Sequence, residues 1–123
     1  MEREKFEELV DEAIENLPPE FLDNIHNVAI IVEDWPSPEQ LDEVQVRRRQ
    51  DLLGLYEGVP LTKRGQRFIG GMPDRVSIFQ KPVELRCRSD KEIKETLRQV
   101  LYHEIGHYFG LSEEQLERLE GRR

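Results

Sequence analysis

Between Glu2 and Leu17 the apolar side chains fall at Phe6, Leu9, Val10, Ala13, Ile14 and Leu17. This is the i, i+3, i+4, i+7 spacing that lines one side of a helix. Pro18 and Pro19 end it, because proline lacks the amide a helix needs and clashes with the preceding turn. The short piece behind them, with Phe21, Leu22 and Ile25, is expected to plug one end of the core. Val28-Ala29-Ile30-Ile31-Val32 is an unbroken and mainly β-branched run too short for an independent helix. It predicts a strand covered on both faces and central in its sheet.

A loop follows from Glu33 to Pro38 and ends in a helix start: Ser37 can cap, Pro38 suits the first helical position and Gln40 can reach back to the cap amide. The helix this opens is expected to be polar and to reach about Gln50. Leu52 to Glu57 reads as a second strand closed by Gly58 and Pro60. Thr62 to Asp74, with three glycines and one proline, has little periodicity and predicts a long loop. Arg75 to Gln80 alternates polar and apolar, which predicts a half-buried strand, and an irregular stretch is expected after Pro82.

Ser89 and Glu92 have the spacing of a capping box and open a helix that should run to about Phe109. At about 100° per residue, Ile93, Leu97, Leu101, Ile105 and Tyr108 fall on one apolar stripe. Thr96, Val100, His103, Glu104 and His107 fall on the stripe beside it. Gly110 should end the helix as a left-handed cap. Ser112 and Gln115 then begin a terminal helix to about Glu120, with Leu116 and Leu119 inward.

The neighbouring stripe carries the chemistry, in His103-Glu104-Ile105-Gly106-His107. Two histidines one helical turn apart can offer both imidazoles to a single metal ion, and a glutamate beside the first can take a proton from water at that metal. With His at 3 of 123 positions and Glu at 19, chance places this pattern in such a chain about once in a hundred times. The first acid beyond the glycine turn is Glu113, six residues past His107, where extended motifs of this type place a third ligand. Two imidazoles and a carboxylate leave one zinc position open for water, and they also suit other divalent metals.

Composition narrows the picture. A length of 123 residues suits one domain with a modest core. The net charge of -8 disfavours a general affinity for nucleic acid, and the local cluster Arg47-Arg48-Arg49 is expected to be a solvated helix face. No apolar run approaches the roughly 20 residues of a membrane span. The charged start of the chain does not resemble a signal segment, so a cytoplasmic location is expected. Cys87 is the only cysteine, which leaves no intrachain disulfide and no thiolate metal site; it reads as a structural residue.

The chain resembles the small bacterial zincin-like metallopeptidases, sometimes called minimal zincins. The likeness rests on the first helix ending in Leu17-Pro18, the strand Asn27 to Asp34, the segment Leu52 to Thr62, the strand Pro73 to Phe79, and His103 through Glu114. The resemblance implies an α+β domain in which a short mixed sheet of about three strands packs with an N-terminal helix, a motif-bearing helix and a short C-terminal helix. It implies His103, His107 and Glu113 as ligands of one zinc ion and Glu104 as general base. The family usually has aspartate where this chain has Glu113, and the longer arm leaves Glu114 and Glu117 as alternatives.

The expected function is a zinc-dependent metallopeptidase acting on a peptide or protein substrate, with no nucleic-acid or membrane partner, as a monomer or weak homodimer. The alternative is a catalytically silent or latent metal-stabilised binding module. An exposed strand edge around Leu55 or around Ile78 is the expected peptide platform. Tyr56, Tyr108 and His26 are candidates for stabilising an oxyanion, and Tyr56 and Tyr108 for contacting substrate.

Overall fold

The first helix forms where the apolar spacing places it: α1 runs Arg3–Glu15 and buries Phe6, Leu9, Val10 and Ala13. The computed structural model of the chain describes residues 1–25, 27–58 and 74–120. The loop expected from Thr62, together with His26 and the side chain of Leu119, lies outside the described residues. After α1 come α2 (Pro19–Leu22), β1 (Val28–Glu33), α3 (Pro38–Glu43), a 3-10 turn at Arg49–Asp51, β2 (Gly54–Glu57), β3 (Asp74–Phe79), α4 (Gln80–Arg86), α5 (Asp90–Tyr108) and α6 (Glu113–Glu120). This is the small α+β domain with a three-stranded mixed sheet that the resemblance implies.

The sheet order is β1-β3-β2. β1 pairs with β3 in parallel, Ile30 opposite Val76, and β2 pairs with β3 in antiparallel fashion, Leu55 opposite Ser77. Two expectations are therefore reversed. β1 is an edge strand, partly covered at every position, whereas β3 is central and buried at five of its six positions. A β-branched run reports strand propensity but not which strands flank it, and of the polar residues of β3 Asp74 is buried with the Tyr56 hydroxyl donating to it at 2.7 Å. Arg75 stays partly exposed and reaches the Glu57 carboxylate at 2.9 Å, and Ser77 is fully buried with no hydrogen-bond partner for its hydroxyl among the described residues.

Three other boundaries differ. α3 is capped as expected, with the Gln40 amide donating to Ser37 Oγ at 3.1 Å and the Ser37 amide to Gln40 Oε1 at 2.9 Å. It nevertheless stops at Glu43, and Gln45 takes φ +57, a left-handed value at which a helix cannot continue. The three arginines are thus not on a helix face: Arg48 binds Asp51, and Arg49 lies 3.9 Å from the centre of the Trp35 ring. β2 begins at Gly54 rather than Leu52. The stretch after Pro82 is not irregular, because Pro82 sits in the first turn of α4, where its missing amide costs no helical bond.

The core lies between α1, the sheet and α5. Ile93, Leu97, Leu101, Ile105 and Tyr108 are 0–7% exposed, so the whole predicted stripe of α5 is buried. α2 closes one end, as Phe21 packs on Tyr102 and Phe109 with ring centres 5.1 Å apart in each case, while Leu22 turns outward. Arg3 ties the start of α1 to the sheet through Val32 O at 3.0 Å and to α4 through Gln80 at 2.7 Å. Cys87 is half-buried, with its sulfur 3.3 Å from Thr96 Oγ1. No described helix is long and apolar enough to cross a membrane.

Candidate metal centre

Helix α5 starts at Ser89, whose hydroxyl accepts from the Glu92 amide at 3.2 Å, while Glu92 Oε1 takes the Arg88 amide at 2.9 Å. From this fixed start the second stripe arrives where the periodicity puts it, with Thr96, Val100, His103, Glu104 and His107 all half-buried. The two imidazole rings stand nearly perpendicular, at 88° with centres 4.7 Å apart.

The chain then reverses over a hydrogen-bonded glycine turn. The Gly110 amide donates to His107 O at 2.9 Å, and the Leu111 amide to Gly106 O at 3.0 Å. This paired pattern closes helices whose next residue is left-handed, and Gly110 has φ 79. Ser112 and Gln115 form the expected reciprocal cap, at 2.8 and 3.2 Å, and start α6. What seats α6 is the absence of a side chain at Gly106. A Cβ there would lie 2.3 Å from Leu116 Cδ2, and Leu116 is 1% exposed in the space so provided.

Seating α6 brings its first residue over the histidines. Glu113 Oε1 lies 2.9 Å from His103 Nε2 and 3.0 Å from His107 Nε2, so one carboxylate oxygen meets both rings. Glu114 and Glu117 are exposed and hydrogen-bond to neither ring. His103, Glu104 and His107 also present donor atoms within 4.8 Å of one another. A tetrahedral zinc with bonds of roughly 2.0–2.2 Å needs its donors about 3.3–3.5 Å apart. Small outward shifts of His103, His107 and Glu113 meet that requirement, so the donor set fits such an ion.

Glu104 is held differently. Its Oε1 accepts the main-chain amide of Tyr56, on β2, at 2.8 Å. The Phe79 amide donates to Leu53 O at 2.9 Å, which fixes the alternation of the antiparallel ladder and turns the main-chain groups of Gly54 and Tyr56 away from β3. Burial pushes the Glu104 carboxyl up to about 7, with Glu113 adding to the rise and the Tyr56 amide and His107 opposing it.

A groove of about 520 Å³ runs beside His103 and Glu104, walled by Leu52, Leu53, Gly54, Val100, Gln99 and Arg86. The other predicted residues lie elsewhere. Tyr108 is fully buried, edge-on to Tyr56 at 6.1 Å between ring centres. The Tyr56 hydroxyl donates to Asp74 Oδ2 at 2.7 Å. The Tyr56 amide and Arg86 are the contributors the sequence does not reveal. A main-chain donor has no residue type to betray it, and Arg86 lies 17 positions before His103 on a helix that the periodicity does not announce.

A family model described as zincin-like metallopeptidase matches residues 25–123. Among solved structures, a conserved hypothetical protein from Thermo thermophilus is similar, with 23% identity and a TM-score of 0.53 over 99% of this chain and 100% of that one. At that identity the likeness is one of fold. No curated protein matches the chain.

Proposed function

The chain belongs to the zincin-like metallopeptidase family, and from that premise we propose that it is a zinc-dependent peptidase, with His103, His107 and Glu113 holding the metal and Glu104 as general base. The observation that carries this reading is the single Glu113 oxygen within 3.0 Å of both imidazole Nε2 atoms, with Glu104 anchored beside them. A zinc ion held there supplies Lewis-acid chemistry, polarising a carbonyl and acidifying water. The chain's own residues do the rest. The Tyr56 amide fixes one oxygen of Glu104, leaving the other to take a proton and return it to the departing amine. β3 is paired on both sides and cannot accept a further strand. The outward main-chain groups at Gly54 on β2 can instead hold an extended peptide along the groove.

A peptide or protein substrate and action in the cytoplasm belong to the same proposal. No observation favours the silent binding module. The test is release of amines from an unfolded protein by the zinc-loaded chain, beside Glu104→Gln. Loss of a general base lowers the rate by about 10²–10⁴-fold; equal rates in the two proteins would remove Glu104 from the mechanism.

A further inference from the structure

Of the residues that line the groove, Arg86 is the one lysine or arginine, and it shares that lining with His103 and Glu104. In the cavity of about 470 Å³ between α1 and α5, Lys91 has no ion pair among the described residues, while Lys94 and Arg98 are paired with Glu12 and Glu95. Arg3, Arg48 and Arg75 likewise hold carboxylates. Arg86 does not: it ends α4, is exposed, and has no hydrogen bond or ion pair among the described residues. Asp51, the acid that feels its field, is hydrogen-bonded by Arg48 at 3.1 and 3.3 Å. In a chain of net charge -8, Arg86 thus places an uncommitted guanidinium on the wall of the groove that also contains His103 and Glu104.

We propose that Arg86 is a specificity residue that selects a side-chain carboxylate on the bound peptide, next to an apolar residue seated on Leu52, Leu53 and Val100. The substrate class is then extended peptide bearing adjoining apolar and acidic side chains. This deepens the peptidase reading and rests on it. The planar fork of a guanidinium matches a carboxylate with two parallel hydrogen bonds, and the apolar wall beside it gives the neighbouring side chain a place to leave water. Leu52 and Leu53 extend the apolar wall beyond Gly54, and a peptide with a free carboxyl end distinguishes a side-chain carboxylate from a chain end.

The experiment uses the full chain, zinc-loaded and again after chelation. Three fluorescein-labelled octapeptides, blocked at both ends, differ only beside a leucine, where they carry glutamate, glutamine or lysine. Fluorescence anisotropy at low salt reads binding. The native chain should bind the glutamate peptide about two- to fivefold more tightly than the lysine peptide, the range an exposed pair permits, and less so as salt rises. Arg86→Ala should erase that preference and Arg86→Glu should invert it. The proposal is overturned by no binding, by no preference in the native chain, by a preference unchanged in Arg86→Glu, or by a glutamine peptide with a free carboxyl end binding as tightly as the blocked glutamate peptide. Cleavage is read separately against Glu104→Gln. Preference without cleavage overturns the peptidase reading and leaves the Arg86 assignment standing, while cleavage without preference does the reverse.

Discussion

Two adjoining stripes of α5 do opposite jobs. Ile93, Leu97, Leu101, Ile105 and Tyr108 are buried against the rest of the core, and each large apolar side chain removed from water contributes about 1.5–3 kcal/mol. Thr96, Val100, His103, Glu104 and His107, rotated to one side, are all half-exposed. The first stripe fixes the helix and the second uses that fixity. The proposed metal set stands on a helix already held by packing, so the chain is expected to fold without the ion, unlike small domains whose only core is the ion.

Substitutions that separate the two stripes test this division. His107→Ala should have the largest effect, on metal affinity. Losing one of three proposed ligands removes on the order of a third of the ~10–16 kcal/mol that structural zinc sites command, or about 10²–10⁴-fold. Titration against a competing chelator measures it. The melting temperature of the chelated protein should barely move, and a fall as large as that of a core substitution would erase the distinction. Leu101→Ala, at a position with no exposure, should cost about 2–5 kcal/mol in denaturant unfolding, with zinc affinity unchanged in the fraction that remains folded.

Gly106→Ala probes the place where the stripes meet. The new methyl group encounters the Leu116 side chain at 2.3 Å, and because Leu116 is only 1% exposed its displacement is expected to move α6 and carry Glu113 away from the rings. Metal affinity should drop about ten- to a hundredfold, as when an orienting contact is lost. The gain of about 1 kcal/mol in helix propensity partly offsets the strain. Adding Leu116→Ala makes room and should restore much of the affinity. If the double variant binds no better than the single one, Leu116 is not what seats Glu113. The smallest effect expected is that of Ser89→Ala, about 1 kcal/mol from the lost cap, seen in thermal unfolding with zinc affinity intact.

Much of this is legible in the chain because it is local. Caps at Ser37, Ser89 and Ser112 and the glycine turn at Gly110 depend on residues a few positions apart, and both stripes of α5 follow from helical angle alone. The place of β1 in the sheet is not legible, because an edge and a centre strand can share one β-branched sequence. Nor is the extent of α3, because nothing in Val44 or Gln45 announces a left-handed turn.

By itself, then, the sequence determined α1, α5, their buried faces and the pairing of His103 with His107 across one helical turn, since each is set by chain neighbours and a fixed pitch. Only the tertiary structure decided that β3 lies between β1 and β2, that the Tyr56 amide holds Glu104, and that Glu113 meets both rings. Those contacts join segments that the chain brings together only when the core closes. Their geometry depends on how α6 and β2 pack against α5, which no local pattern encodes.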